Sequence, residues 1–342
     1  MRIVLDAMGS DNCPIPDVEG AVLAARESGD TIVLVGDESA VRAELAKHAT
    51  AGLPLEVVHA PQAITMHDKP SQVSRTKKDS SMAIGMGLVR DGKADAFVTV
   101  GNTGAALALA TLSVLHRIPG VKRPALTSLI TLGGKTVILL DLGANADSRP
   151  EWLVQFGMMG SLYVERVLGI PSPRVALLSN GEEEGKGSEL VRAAAVLLAD
   201  SGLNFVGNVE PKEMIAGAAD VIVADGFVGN IALKSMEALG DALFRLMRDE
   251  FKGRPLVSIG ALLVRPALRA VYRQVDPFET GGAPLLGVNG VVVVGHGRTN
   301  AKGVKNAIGQ AHKAVQGGII EALQTGMARY KEADAADIVP SQ

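Results

Sequence analysis

Polar and apolar positions along the chain repeat one pattern. A short, nearly continuous apolar run ends in a polar or glycine residue, and a longer stretch with helical spacing follows. The runs are RIVLDAMG (2–9), TIVLVGD (31–37), LEVVHA (55–60), AFVTVG (96–101), ALTSLITL (125–132), KTVILLDLG (135–143), RVALLSNG (174–181), LNFVGNV (203–209), DVIVADG (220–226) and GVVVVGHG (290–297). Their β-branched, all-apolar character predicts strands covered on both faces. Stretches 17–28, 38–48, 103–116, 150–168 and 186–200 read as helices between them. Strand alternating with helix predicts an α/β fold, a three-layer α/β/α sandwich around a mostly parallel, Rossmann-like sheet. Gly133 and Gly134 sit between two strand runs, which predicts one antiparallel hairpin. No internal repeat or low-complexity linker interrupts the pattern, so residues 1–342 are expected to form one unit.

Strand after strand ends in Asp or Gly: Asp6, Gly36, Gly101, Asp141, Asn180 (an amide in the same place), Asp225 and Gly295. In open α/β sheets, ligands bind beyond the carboxyl ends of the strands, which makes these ends candidates for one shared rim. The turns that follow carry amides and cations. Gly-Asn-Thr-Gly (101–104) offers Asn102 and Thr103. The turn after Asp141 offers Asn145, and the next offers Asp225, Asn230 and Lys234. The turn at 295–302 offers His296, Arg298, Asn300 and Lys302. Backbone amides at helix starts, with such side chains, suit a phosphate group.

Composition narrows the chemistry. The chain of 342 residues is 47% hydrophobic and 21% charged, with 3% aromatics and a net charge of -3. That balance fits a globular protein and gives no sign of a nucleic-acid surface. The single Cys13 excludes an intrachain disulfide and a cysteine zinc site. No metal-type cluster stands out among the six histidines. VALLSNGEEEGKGSELVRAA (175–194) resembles a phosphate loop only loosely. Three residues separate Gly181 from Gly185, and Gly187 follows Lys186 where Ser or Thr should stand. DAMGSDNCP (6–14) lacks the dinucleotide pattern as well. Neither ATP nor nicotinamide is expected, and no cofactor is implied. The N-terminus lacks a long apolar core and no run reaches the length of a membrane span, so a cytoplasmic protein is expected.

Residues 251–275 differ from the rest. They hold no acid and five bases, Lys252, Arg254, Arg265, Arg269 and Arg273, beside Leu256, Ile259, Leu262, Leu263, Leu268, Val271 and Tyr272. Pro266 is expected to split the run into two helices. A basic amphipathic excursion at about 240–280 suits an anionic membrane surface, an acidic partner protein or a dimer contact.

Eight segments in order resemble the bacterial phosphate acyltransferases, the PlsX family: DAMGSD (6–11), RTKKDSSM (75–82), VGNTGA (100–105), RPAL (123–126), LDLGAN (140–145), GEEEGKG (181–187), VADGFVGN (223–230) and GGAPLLGVNG (281–290). The resemblance implies an isocitrate/isopropylmalate dehydrogenase-like fold and a homodimer. It implies transfer of a fatty acyl group from acyl carrier protein to inorganic phosphate. The acyl phosphate then serves a membrane acyl-phosphate:glycerol-3-phosphate acyltransferase in phospholipid synthesis, which places the protein at the membrane periphery. Lys186, Asn230, His296 and Asp225 are the expected catalytic group. Asp6, Ser10, Asp11, Asn102, Thr103, Asp141 and Asn145 are the expected phosphate- and substrate-binding group, with the aspartates orienting donors. Two other readings stay open: a short-chain phosphotransacetylase using coenzyme A thioesters, and a non-catalytic membrane-associated scaffold.

Overall fold

The computed structural model describes residues 1–252 and 255–336. The chain runs β1 (Arg2–Asp6), α1 (Ile15–Ser28), β2 (Thr31–Gly36), α2 (Glu38–Leu45), β3 (Leu55–His59), α3 (Pro70–Thr76), α4 (Ser81–Arg90), β4 (Ala96–Thr99) and α5 (Thr103–Ala108), which ends in a π turn. Next come β5 (Ala125–Leu132), β6 (Lys135–Leu140), α6 (Pro150–Val167), β7 (Val175–Leu178), α7 (Glu189–Ala199), β8 (Phe205–Val209), α8 (Pro211–Ile215) and β9 (Val221–Val223). The last part holds α9 (Gly226–Lys252), α10 (Pro255–Val275), α11 (Pro277–Thr280), β10 (Ala283–Leu286), β11 (Val291–Val294), α12 (Ala301–Gln316) and α13 (Ile319–Ala336).

Local chemistry explains many boundaries. Asp37, Ser80, Asn102, Ser188 and Asn300 each cap a helix by accepting a hydrogen bond from a backbone amide of its first turn. Gly133 and Gly134 both take positive φ, 58° and 79°, and turn β5 back along β6 as expected.

Among the described residues, eleven strands form one sheet in the order β3-β2-β1-β4-β11-β10-β5-β6-β9-β7-β8. Most neighbours are parallel. Three pairs are antiparallel: β10 with β11, β10 with β5, and β5 with β6. The expected α/β architecture is therefore present, with one strand, β10, that the apolar pattern did not reveal. Its Pro284 has no N–H to give, and its carbonyl accepts the Thr127 hydroxyl at 3.0 Å.

Three reversals in a row have a consequence for the expected single rim. β6, β9, β7 and β8 run opposite to β1, β2, β4 and β11. Asp6 and His296 thus follow strands that end at one edge, whereas Asp141, Asn180 and Asp225 follow strands that end at the other. The strand ends do not share one rim.

A large core joins both halves, with Tyr163 and Phe156 fully buried. Two smaller apolar clusters lie beside it. One gathers under α4 and α5, and the other under α8 and α9.

Pro266 lies inside α10 and does not divide it, contrary to expectation. α10 instead begins at Pro255, a position where a missing N–H costs nothing. α9 and α10 touch through an edge-to-face pair, Phe244 and Tyr272, with ring centres 4.9 Å apart. Leu262 and Leu263 are 65% and 78% exposed. Arg254 and the side chains of Lys252, Leu256 and Ile259, named above for this stretch, lie outside the described residues.

Candidate active site

A cavity of about 460 Å³ runs along the face of β5, from Leu126 to Leu132. Thr103, Gly104 and Leu107 of α5 form one wall. Asn230, Leu233, Lys234, Met236 and Glu237 of α9 form the facing wall. Gln274, Asp276 and residues 280–283 close a third side, with Gly295 and His296 beside them. Leu107, Leu126, Ile130, Leu132, Leu142, Leu233, Met236, Leu285 and Val294 give it a largely apolar lining. Polar side chains, among them Thr103, Asn230, Lys234, Glu237, Asp276 and His296, stand around it.

The α9 wall is set by glycines. At Gly229, an added Cβ would collide with the Asp141 carbonyl oxygen, and at Gly226 it would stand 2.5 Å from the Asn145 carbonyl oxygen. Only glycine lets α9 start this close to the 141–145 turn. Gly143, at φ +121°, leaves room for the Asn230 side chain, whose Nδ2 would lie 2.5 Å from a Cβ there.

The aspartates mostly organise backbone. Asp141 is fully buried and accepts from the amides of Leu126, Leu142, Ala144 and Asn145 and from Asn145 Nδ2, at 2.7–3.1 Å. Burial pushes its carboxyl up, and these donors oppose that by favouring the carboxylate. Asn145 Nδ2 also reaches the Pro124 carbonyl at 2.8 Å. Asp225 accepts from the amides of Phe227 and Val228 and so caps α9. Asn230 Nδ2 donates to the Leu142 carbonyl at 2.7 Å, which ties α9 to the same turn.

At the other edge, Asp6 is buried and accepts from Thr99 Oγ1 at 2.8 Å, while Thr99 Oγ1 accepts from the Gly101 amide at 3.1 Å. Burial raises the Asp6 carboxyl. The relay fixes the turn that carries Asn102 and Thr103. Asn102 Oδ1 caps α5, and its Nδ2 donates to the carbonyls of Thr65 and Asp68 at 3.1 Å each. Both ends of that amide are thus committed to structure. Ser10 is buried and donates to Asp17, whose carboxyl is pushed up to about 7, chiefly by burial. Asp11 is exposed; its amide bonds the Gly297 carbonyl at 2.8 Å, next to His296.

Of the residues singled out from sequence, Thr103, Asn230, Lys234 and His296 line the cavity. Asn102, Asp6, Asp141, Asn145 and Asp225 fix its turns from behind. Lys186 does not line it. It follows β7, which is separated from β6 by β9, and its side chain lies over Gly181. Lys234 and Glu237 do line it, one and two turns beyond Asn230. Lys234 had been visible in the sequence as a cation near a helix start; Glu237 had not. The 230, 234, 237 spacing on one helix face was the available signal. Among the described residues, one acidic group, Glu182, Glu210 and Glu213, could approach a cation, but Lys212 already stands 3.4–3.7 Å from all three.

Thr103, Asn230, Lys234 and His296 thus stand around a largely apolar cleft in an α/β fold. Solved structures agree on the fold. Phosphotransacetylases from Staphylococcus aureus and Streptococcus pyogenes superpose with TM-scores of 0.57 and 0.59, at 19% and 18% identity, over 92% of this chain and 94% of each of theirs. A protein described as a 4-hydroxythreonine-4-phosphate dehydrogenase, from Salmonella typhimurium, does so at 0.53 and 14% identity, over 92% of this chain and 98% of its own.

The family model for fatty acid synthesis proteins matches residues 1–322, and the chain belongs to that family. It is 47% identical to a phosphate acyltransferase of Pelotomaculum thermopropionicum over 96% of this chain and 95% of the relative. It is 45% identical to one of Geobacter sulfurreducens over 96% and 94%. The chain is accordingly an acyltransferase with phosphate as a substrate.

Proposed function

We propose that this enzyme moves a fatty acyl group from the thioester of acyl carrier protein to inorganic phosphate, and that the acyl phosphate feeds phospholipid synthesis through a membrane acyl-phosphate:glycerol-3-phosphate acyltransferase. The observation that carries this reading is the apolar cleft along β5, with Thr103, Asn230 and His296 at its walls. An aliphatic chain gains about 0.8 kcal/mol for each buried methylene, so such a cleft favours a long acyl group over acetyl. Phosphate arrives ionised and needs only to be positioned and to have the developing oxyanion stabilised.

Asn230 and Thr103 polarise the thioester carbonyl and hold phosphate, with His296 beside them. The aspartates, Asn102 and Asn145 act through the turns they fix. A lysine supplies the cation. Lys234 stands in the cleft, and Lys186, in the glycine-rich loop, is the second candidate. Alanine at the phosphate-holding lysine should raise the KM for phosphate by roughly 10- to 100-fold, the loss of one charged hydrogen bond. Alanine at the other should leave that KM within a few-fold.

A homodimer and peripheral attachment of a cytoplasmic enzyme to an anionic membrane fit the exposed apolar and basic face of α9 and α10. Among the described residues, no helix is long and apolar enough to cross a membrane.

The deciding assay supplies phosphate with either acyl-carrier-protein or coenzyme A thioesters and traps acyl phosphate with hydroxylamine. Product from the long-chain carrier-protein donor supports the reading. Product from short coenzyme A donors alone replaces it with a phosphotransacetylase. No product from either leaves a scaffold.

A further inference from the structure

We infer that Glu237 and His296 work as a dyad across the cleft: His296 passes the proton that the departing sulfur needs, and Glu237 is the positioning residue that orients the ring. The two come from different elements, α9 and the turn after β11, and both line the cavity. His296 Nε2 lies 3.6 Å from Glu237 Oε1. That is longer than a hydrogen bond, as such contacts often are before substrate closes a site. Glu237 is the more sheltered of the two, with its side chain 19% exposed against 50% for His296. A carboxylate inside a cleft that must admit an anion is unfavourable by itself. Its place opposite an imidazole gives it a use. With Nε2–H turned to the carboxylate, Nδ1 is the nitrogen left for substrate. Lys234 and Asp276 are the other charged side chains lining this cleft.

The proton accounting closes. An oxygen of hydrogen phosphate attacks the thioester carbon and forms the C–O bond. The C–S bond breaks, and sulfur leaves with the electron pair. Nδ1 of His296 takes the proton that hydrogen phosphate carries as the C–O bond forms and passes it to that sulfur. The products are the acyl phosphate dianion and a neutral thiol, and the dyad is unchanged.

The inference rests on the phosphate acyltransferase reading. The test compares two small fatty acyl thioester donors, one with an alkanethiol leaving group and one with an arenethiol, which departs without a proton. With the alkanethiol donor, His296→Ala and Glu237→Gln should each lower kcat/KM, His296→Ala by about 10²-fold, the low end of a general-acid contribution. With the arenethiol donor most of both losses should vanish, and Glu237→Asp should recover part of the alkanethiol activity. Equal losses of Glu237→Gln with both donors would overturn the dyad, as would full activity of that variant. An unaltered enzyme that makes no acyl phosphate from any donor would sink the proposed function as well, which separates the two failures.

Discussion

At the scale of single residues, the buried carboxylates are the informative groups. Asp6 and Asp141 sit at strand ends where an active-site acid would be expected, yet each is occupied with backbone and neighbouring side chains. They set turns. Asp17 differs, because burial lifts its carboxyl to about 7 and Ser10 alone supplies a side-chain donor. The sign follows from linkage. An acid whose folded value lies above the unfolded value of about 3.9 binds its proton more tightly when folded, so its contribution to stability falls as pH rises from about 4 through 7 and is flat above that. Asp17→Asn removes this group. The difference in melting temperature between variant and parent should therefore grow in favour of the variant from pH 5 to pH 8. A constant difference over that interval would mean that Asp17 titrates normally.

At the scale of elements, α9 builds the wall of the cleft that carries Asn230. It starts against the 141–145 turn and contributes Asn230, Leu233, Lys234, Met236 and Glu237 to one wall. Its placement depends on Gly226 and Gly229. A methyl at Gly229 must displace either α9 or the Asp141 carbonyl. Gly229→Ala should cost about 1–3 kcal/mol, the usual range for overpacking, and should lower activity by shifting Asn230. Thermal melts together with acyl phosphate assays check both effects, and a variant with parental values in each would show that α9 is not held by this contact. Many elements could be read from the sequence because their signals are local: β-branched runs for the strands and paired glycines for the hairpin. Others could not. β10 is four residues long and contains Pro284, so propensity argued against it. Glu237 looks from sequence like one more solvated helix residue, and only the partner wall shows that it faces His296. Pro266 signalled a break, but α10 runs on through it.

At the scale of the whole molecule, the sequence showed alternating strands and helices but not which way each half of the sheet points. A strand reached through a helix can join either neighbour, and nothing local records the choice. The reversal through β10, β5 and β6 puts the ends of β4 and β6 on opposite edges, so the cleft spans the length of β5 instead of a rim. The same arrangement leaves the pair α9 and α10 with one face turned outward. Leu239, Leu243 and Leu246 of α9 and Leu262, Leu263 and Val271 of α10 are exposed, near Arg265 and Arg269. A wet apolar face of this size is unfavourable unless something covers it. Leucines next to arginines suit the boundary of an anionic bilayer, where apolar burial and attraction to headgroups add. Leu262→Glu with Leu263→Glu should weaken binding to vesicles containing anionic lipid, and raised salt should weaken binding of the parent protein. Activity on a soluble thioester donor should stay near parental, because neither leucine lines the cleft. Vesicle binding indifferent to both changes would assign this face to another chain, and a concentration-dependent change in oligomeric state in the same variant would identify that chain as a second copy.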